Sequence, residues 1–173
     1  MKIMKKGLQW TVLLIMVCLA VACSDDDGIE RPDWTKVTYN LDLGTGWLQL
    51  YDVTIEYLTA DGQARTVTLT EDKWSEEDKV DGQYNRFKYR VTAKAKRTTF
   101  DTSDPAQKAL LATDKDLTYT YEYYYYEKET SAHTFKPEEM GQVVKAGEIE
   151  KYVAEHPSIT LVDHQITVGQ KNE

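Results

Sequence analysis

A site that does chemistry needs a nucleophile, a titratable pair, a metal cage or an aromatic plate. The histidines are His133, His156 and His164, and no two of them stand at HxH or HxxxH spacing. A single strand or helix therefore cannot present two of them to one metal ion. The serines are Ser24, Ser75, Ser103, Ser131 and Ser158, none within GxSxG, the turn that exposes a hydrolase nucleophile. Acid-rich residues 25–27 and 71–81 lack the DxDxDG order of a calcium loop. No Gly-rich phosphate loop is present. Glycoside hydrolysis needs two carboxylates about 5–10 Å apart, and among 29 acids no pair stands out. The expectation is a protein without catalytic residues, metal or cofactor. A small hydrolase is the minor alternative.

Aromatic rings carry the remaining hint. Six of the twelve tyrosines fall within residues 119–126. Tyrosine suits a strand, and a period of two places Tyr119, Tyr121, Tyr123 and Tyr125 on one face. Tyr124 and Tyr126 share the other with Thr118, Thr120 and Glu122. Rings on an open face supply apolar plates with polar rims, which suit sugars. Tyr124 and Tyr126, with Trp74 from the acidic stretch beside them, are the candidate ligand-binding residues. The competing reading is cross-strand packing. A basic stripe of Arg86, Lys88, Arg90, Lys94, Lys96 and Arg97 reads as a solvated or edge strand face, or else as a surface for an anionic partner. Pairing with the Glu122 face of a neighbouring strand would make it structural.

Strands must position these groups. Apolar residues alternate with polar ones over 37–43, 47–58, 65–69 and 86–96, the half-buried antiparallel pattern. Further strands are expected over 117–130 and 158–168. Gly44-Thr45-Gly46 joins the first two. Between the second and third, a two-residue Asp61-Gly62 loop would set Ile55 opposite Thr68. A three-residue Ala60-Asp61-Gly62 loop sets Ile55 opposite Val67 and predicts Gly62 in the left-handed region of a bulged turn. Residues 71–83 read as an acidic connection in which Ser75–Asp78 fits one capped helical turn. Residues 103–112 predict a short helix with Ser103 or Asp104 as cap and Pro105 in its first turn. Ile149, Tyr152 and Val153 have helical spacing, and Pro157 would end that helix near His156; residues 136–156 otherwise carry no clear period. Six strands around one core predict an all-β antiparallel sandwich, Ig-like in outline, with one or two short helices. The alternative is an α+β fold, a single meander sheet covered by helices. Residues 34–173 suffice for one domain.

The first 27 residues are of another kind. Lys2, Lys5 and Lys6 precede an apolar run over 11–22, too short to span a bilayer of about 30 Å. This is a secretory signal pattern. LAVAC over residues 19–23 resembles the lipobox of bacterial lipoproteins, with the family's leucine one residue further out, at Leu19. The SDDD that follows is similar to the acidic export tag of surface lipoproteins of the Bacteroidota. The resemblance implies acylation of Cys23, a signal peptide over 1–22, an acidic tether over 23–33 and display on the outer face of the outer membrane. Acyl chains anchor through about 0.8 kcal/mol per buried methylene, and two or more hold where one does not. Cys18 leaves with the signal, so the body has no thiol. Loss of the three lysines leaves 18 basic residues against 29 acids, a net charge of −11. That argues against nucleic acid as a partner. The sequence thus predicts a surface-anchored, non-catalytic binding domain with a glycan as ligand. A structural or assembly subunit of an envelope or appendage complex is the alternative, taking a protein partner.

Overall fold

The computed structural model describes residues 34–81, 86–126, 132–135 and 139–167. Cys23, the signal and the tether lie outside the described residues. Among the described residues nine strands form two antiparallel sheets. The first has the order β4 (Lys73–Asp81), β1 (Trp34–Leu43), β6 (Lys115–Tyr126), β7 (Ala132–Phe135), with β8 (Met140–Val144) also beside β6. The second has the order β3 (Ala64–Thr68), β2 (Tyr51–Leu58), β5 (Arg86–Ala95), β9 (Ser158–Thr167). The chain is an all-β sandwich, and the single covered meander does not hold. Among the described residues three short α-helices, α1 (Trp47–Leu50), α2 (Pro105–Leu111) and α3 (Ile149–Glu155), lie in the connections.

Alternation explains the layers. Val37, Tyr39, Leu41 and Leu43 of β1 are buried, as are Val53, Ile55 and Tyr57 of β2 and Phe87, Tyr89, Val91 and Ala93 of β5. The core is rich in tyrosine, which must satisfy a hydroxyl as well as bury a ring. Three of these hydroxyls reach across to the opposite layer. Tyr39 donates to the Leu58 carbonyl at 2.6 Å, Tyr89 to that of Asn40 at 2.9 Å and Tyr119 to that of Leu161 at 3.1 Å. The rings interlock: Tyr39 stacks on Phe87 with centroids 5.4 Å apart, and Phe87 packs on Tyr123 at 4.8 Å. Aromatic pairs of this kind contribute about 0.5–1.5 kcal/mol beyond their burial.

The β2–β3 hairpin follows the parity argument. Ile55 faces Val67, the Gln63 carbonyl accepts from the Thr59 amide at 2.9 Å, and Gly62 has φ +79°. α2 begins at Pro105 with Asp104 as its cap, accepting from the Ala106 amide at 2.8 Å. α3 ends at Glu155, ahead of Pro157.

Three expectations are corrected and two strands are added. Residues 47–50 are a helical turn, not the start of a strand. Gly44 and Gly46 donate to the Thr118 and Asp116 carbonyls at 2.8 Å, and a Cβ on either would come within 2.6–2.7 Å of Asp116. The chain then crosses to the other sheet, and one helical turn buries Trp47 and Leu50 together. Residues 73–81 are a strand rather than a connection. They pair with all but the last residue of β1, Leu41 facing Trp74 and Thr38 facing Glu77. As an edge strand β4 carries half-buried Glu76 and Asp78 on its inner side, a device that deters further pairing and hides the hydrophobic alternation. The capped helical turn expected at Ser75–Asp78 is absent for the same reason. Within 136–156 a strand, β8, precedes the helix. β7 was not expected at all, and both strands gain their order from pairing with β6.

Candidate functional site

β1 is the middle strand of one polar face. Its even residues point away from the core, and antiparallel register fixes their neighbours. Asp42 lies between Lys73 of β4 and Thr120 of β6; Asn40 lies between Ser75 and Glu122; Thr38 lies between Glu77 and Tyr124. Adjacent strands are about 4.8 Å apart, so each row is a short ladder of side chains within reach of one ligand. The first two rows enclose a depression of about 450 Å³. Leu41, Trp74 and Tyr121 also contribute to its lining.

Within the rows, some groups are engaged and others are not. Lys73 Nζ stands 2.5 Å from Asp42 Oδ2, and Lys36 Nζ stands 2.9 Å from Glu77 Oε1. The hydrogen bond from Lys36 holds the Glu77 carboxyl below the usual carboxylate range. Ser75, Asn40, Thr120 and Glu122 have no side-chain hydrogen bond or ion pair among the described residues. Asn40 and Glu122 are half-buried. A hydroxyl, an amide, a second hydroxyl and a carboxylate thus share one concavity that is open to water, with no protein partner among the described residues.

Of the sequence-predicted residues, Tyr124 lies on this face, half-buried between Thr38 and Thr134. The backbone of Tyr126 continues the same strand, and its side chain lies outside the described residues. Trp74 is not brought beside them. Its ring packs inward, 5.3 Å from Tyr57, 6.3 Å from Tyr39 and 6.4 Å from Tyr89. Strand parity gives the reason: Trp74 faces Leu41, on the core side of β1. Cys23 is outside the described residues. Asn40, Asp42, Ser75 and Glu122 were missed as site residues. The parity of Tyr124 could have pointed to Glu122 and, through any pairing with β1, to Asn40 and Asp42; nothing pointed to Ser75 while its stretch read as a loop.

Directly behind the depression, Tyr121 and His164 Nε2 are hydrogen-bonded at 2.8 Å, joining β6 to β9. Burial raises the Tyr121 hydroxyl to about 12 and pulls the His164 imidazole below its ordinary value, with Asp163 opposing the latter. His156 stacks on Tyr152 with centroids 4.4 Å apart. Among the described residues no three His, Cys, Asp or Glu converge as metal ligands.

The basic stripe occupies the outer face of the other sheet. Lys88 Nζ is 2.5 Å from Glu56 Oε2, Arg90 Nε is 3.9 Å from Asp163 Oδ2, and Lys96 Nζ is 3.8 Å from Asp52 Oδ1 while donating to the Leu48 carbonyl at 2.7 Å. The first of these pairs lowers the Glu56 carboxyl. These partners are acids of β2 and β9 within the same sheet, and Glu122 belongs to the other one; Arg86, Lys94 and Arg97 have no ion pair among the described residues, and Arg90 Nε is buried without a hydrogen-bond partner. No family model and no curated protein matches the chain.

Proposed function

We propose that this chain is an outer-membrane, surface-anchored lipoprotein whose β-sandwich binds an extracellular glycan without transforming it. The anchor rests on LAVAC and SDDD around Cys23. The binding role rests on one observation: Ser75, Asn40, Thr120 and Glu122 line a concavity on a sheet face with no partner among the described residues. Sugars present many hydroxyls that both donate and accept, and such a row answers them in kind. Tyr124, one row along, offers a ring for a sugar face. Binding of the detergent-purified full chain to an array of microbial and host oligosaccharides tests the role, and an array without hits rejects it. Cys23→Ala tests the anchor: the variant should lose metabolic lipid label and remain unprocessed, whereas unchanged membrane partition would reject lipidation.

A second reading, assembly into an envelope or appendage complex, is favoured by β8. Residues 140–144 carry no charge, and Val143 is 51% exposed. Uncharged edges are open to strand addition by a partner. Val143→Lys should then reduce capture of the partner by cross-linking on whole cells.

A further inference from the structure

The charge balance of the depression differs from that of the protein's other paired surfaces. Its acidic and basic lining groups besides the Tyr121 hydroxyl are Asp42, Lys73 and Glu122. Lys73 is the one cation among these described lining residues, and it is held at 2.5 Å by Asp42. Glu122 remains, a half-buried carboxylate flanked across the strands by Asn40 and, beyond it, Ser75. Asn40 and Ser75 can each donate or accept, whereas an ionised carboxylate can only accept. A ligand seated on this row must therefore present a donor to Glu122.

We infer that the depression selects sugars by charge, taking neutral and amine-bearing sugars and rejecting uronate-type acidic ones, with Glu122 as the specificity-determining residue. The inference rests on the glycan reading above and adds the ligand class. A sugar hydroxyl donates to the Glu122 carboxylate, and a sugar ammonium does so with an opposite charge. A sugar carboxylate brings a second acceptor and a like charge to a half-buried position, and the cation nearest to offset it, Lys73, already shares its charge with Asp42. Selectivity of this kind comes from the repulsive element as much as from the attractive one. Because the groove opens to water, the discrimination should weaken as salt rises.

The test uses the full chain in detergent, titrated with a neutral glucose tetramer, a glucosamine tetramer and a galacturonate tetramer, and read on an array carrying all three classes. The expected order is glucosamine at or above glucose, with galacturonate weaker by tenfold or more. Glu122→Gln keeps the shape and should bring the three within a few-fold of one another, while Lys88→Ala on the opposite sheet leaves the order unchanged. Equal or tighter binding of acidic sugars by the unaltered chain overturns the inference and leaves the glycan reading standing. Rejection of acids that persists in Glu122→Gln overturns the role of Glu122. Absence of binding to every class on the array overturns both.

Discussion

On the outer face of one sheet Lys88 meets Glu56, Arg90 meets Asp163 and Lys96 meets Asp52; on the outer face of the other, Ser75, Asn40, Thr120 and Glu122 meet nothing among the described residues. Both faces arise from the same alternating strands, and both are polar. They differ in complementarity across the strands. β5 places bases opposite or diagonal to the acids of β2 and β9, so several of the charges pair, although Arg90 Nε is buried without a hydrogen-bond partner. β1 and β6 place Asn40 opposite Glu122 and Asp42 opposite Thr120; Asp42 is taken by Lys73, and the other three have no side-chain partner among the described residues. A face that closes its own polar groups gains a little stability and loses reactivity toward a ligand. A face that leaves them open is the better place to look for function.

The contrast requires that Tyr124 be outside and its neighbours inside. Tyr125→Ala should cost about 3–5 kcal/mol, as buried aromatic truncations do, since Tyr125 is 1% exposed and packs on Phe87 at 5.6 Å. Tyr124→Ala, one residue away, should cost about 0.5 kcal/mol or less. Denaturant unfolding of the two variants gives both values; similar losses would place Tyr124 in the core and dissolve the open face.

A smaller effect separates the two faces by binding. Asn40→Ala with Glu122→Ala should weaken glycan binding at least tenfold, about 1.4 kcal/mol, with the melting temperature nearly unchanged. Lys88→Ala with Arg90→Ala should leave binding as it was. A reversed result would move the site to the basic face.

The bond between Tyr121 and His164 lies behind the open face only, and it makes a prediction in pH. The folded-state pKa of His164 is lowered by burial, while the unfolded value is about 6.5. Between the two the unfolded chain holds the extra proton, so this contribution is complete above pH 6.5 and is lost as pH falls toward the folded value. The lowered carboxyls of Glu56 and Glu77 act only at more acidic pH, because their unfolded values lie below 5. Thermal unfolding at pH 7.5 and pH 5.5 should show a drop that His164→Gln reduces. A drop of equal size in the variant would assign it elsewhere.

The smallest effect concerns the paired face. Lys88 and Glu56 side chains are 32% and 39% exposed, so solvent screens them, and the pair should contribute about 0.5 kcal/mol or less. A double-mutant cycle at low and high salt measures it. A coupling that vanishes in salt fits the description; a large coupling that survives salt would mean that this face is more enclosed than its exposure indicates.

Period-two alternation was enough to identify β1, β2, β5 and β6 as half-buried strands, because each buries one face and wets the other. Parity also determined the hairpin at Gly62, since a one-residue change of register would have set Ile55 against Thr68. Helix signals at Asp104, Pro105 and Pro157 were local and could be read locally. The tertiary structure alone decided β4, whose acids on the inner side belong to an edge and resemble a loop until β1 pairs with them. It decided that Trp47 and Leu50 share a helical turn, because Gly44 and Gly46 press against Asp116. It also packed the Trp74 ring against the core and brought Ser75 into one row with Asn40 and Glu122, residues 35 and 47 positions from it in the chain. Pairing across such distances depends on which strands become neighbours, and alternation within one strand carries no record of that choice.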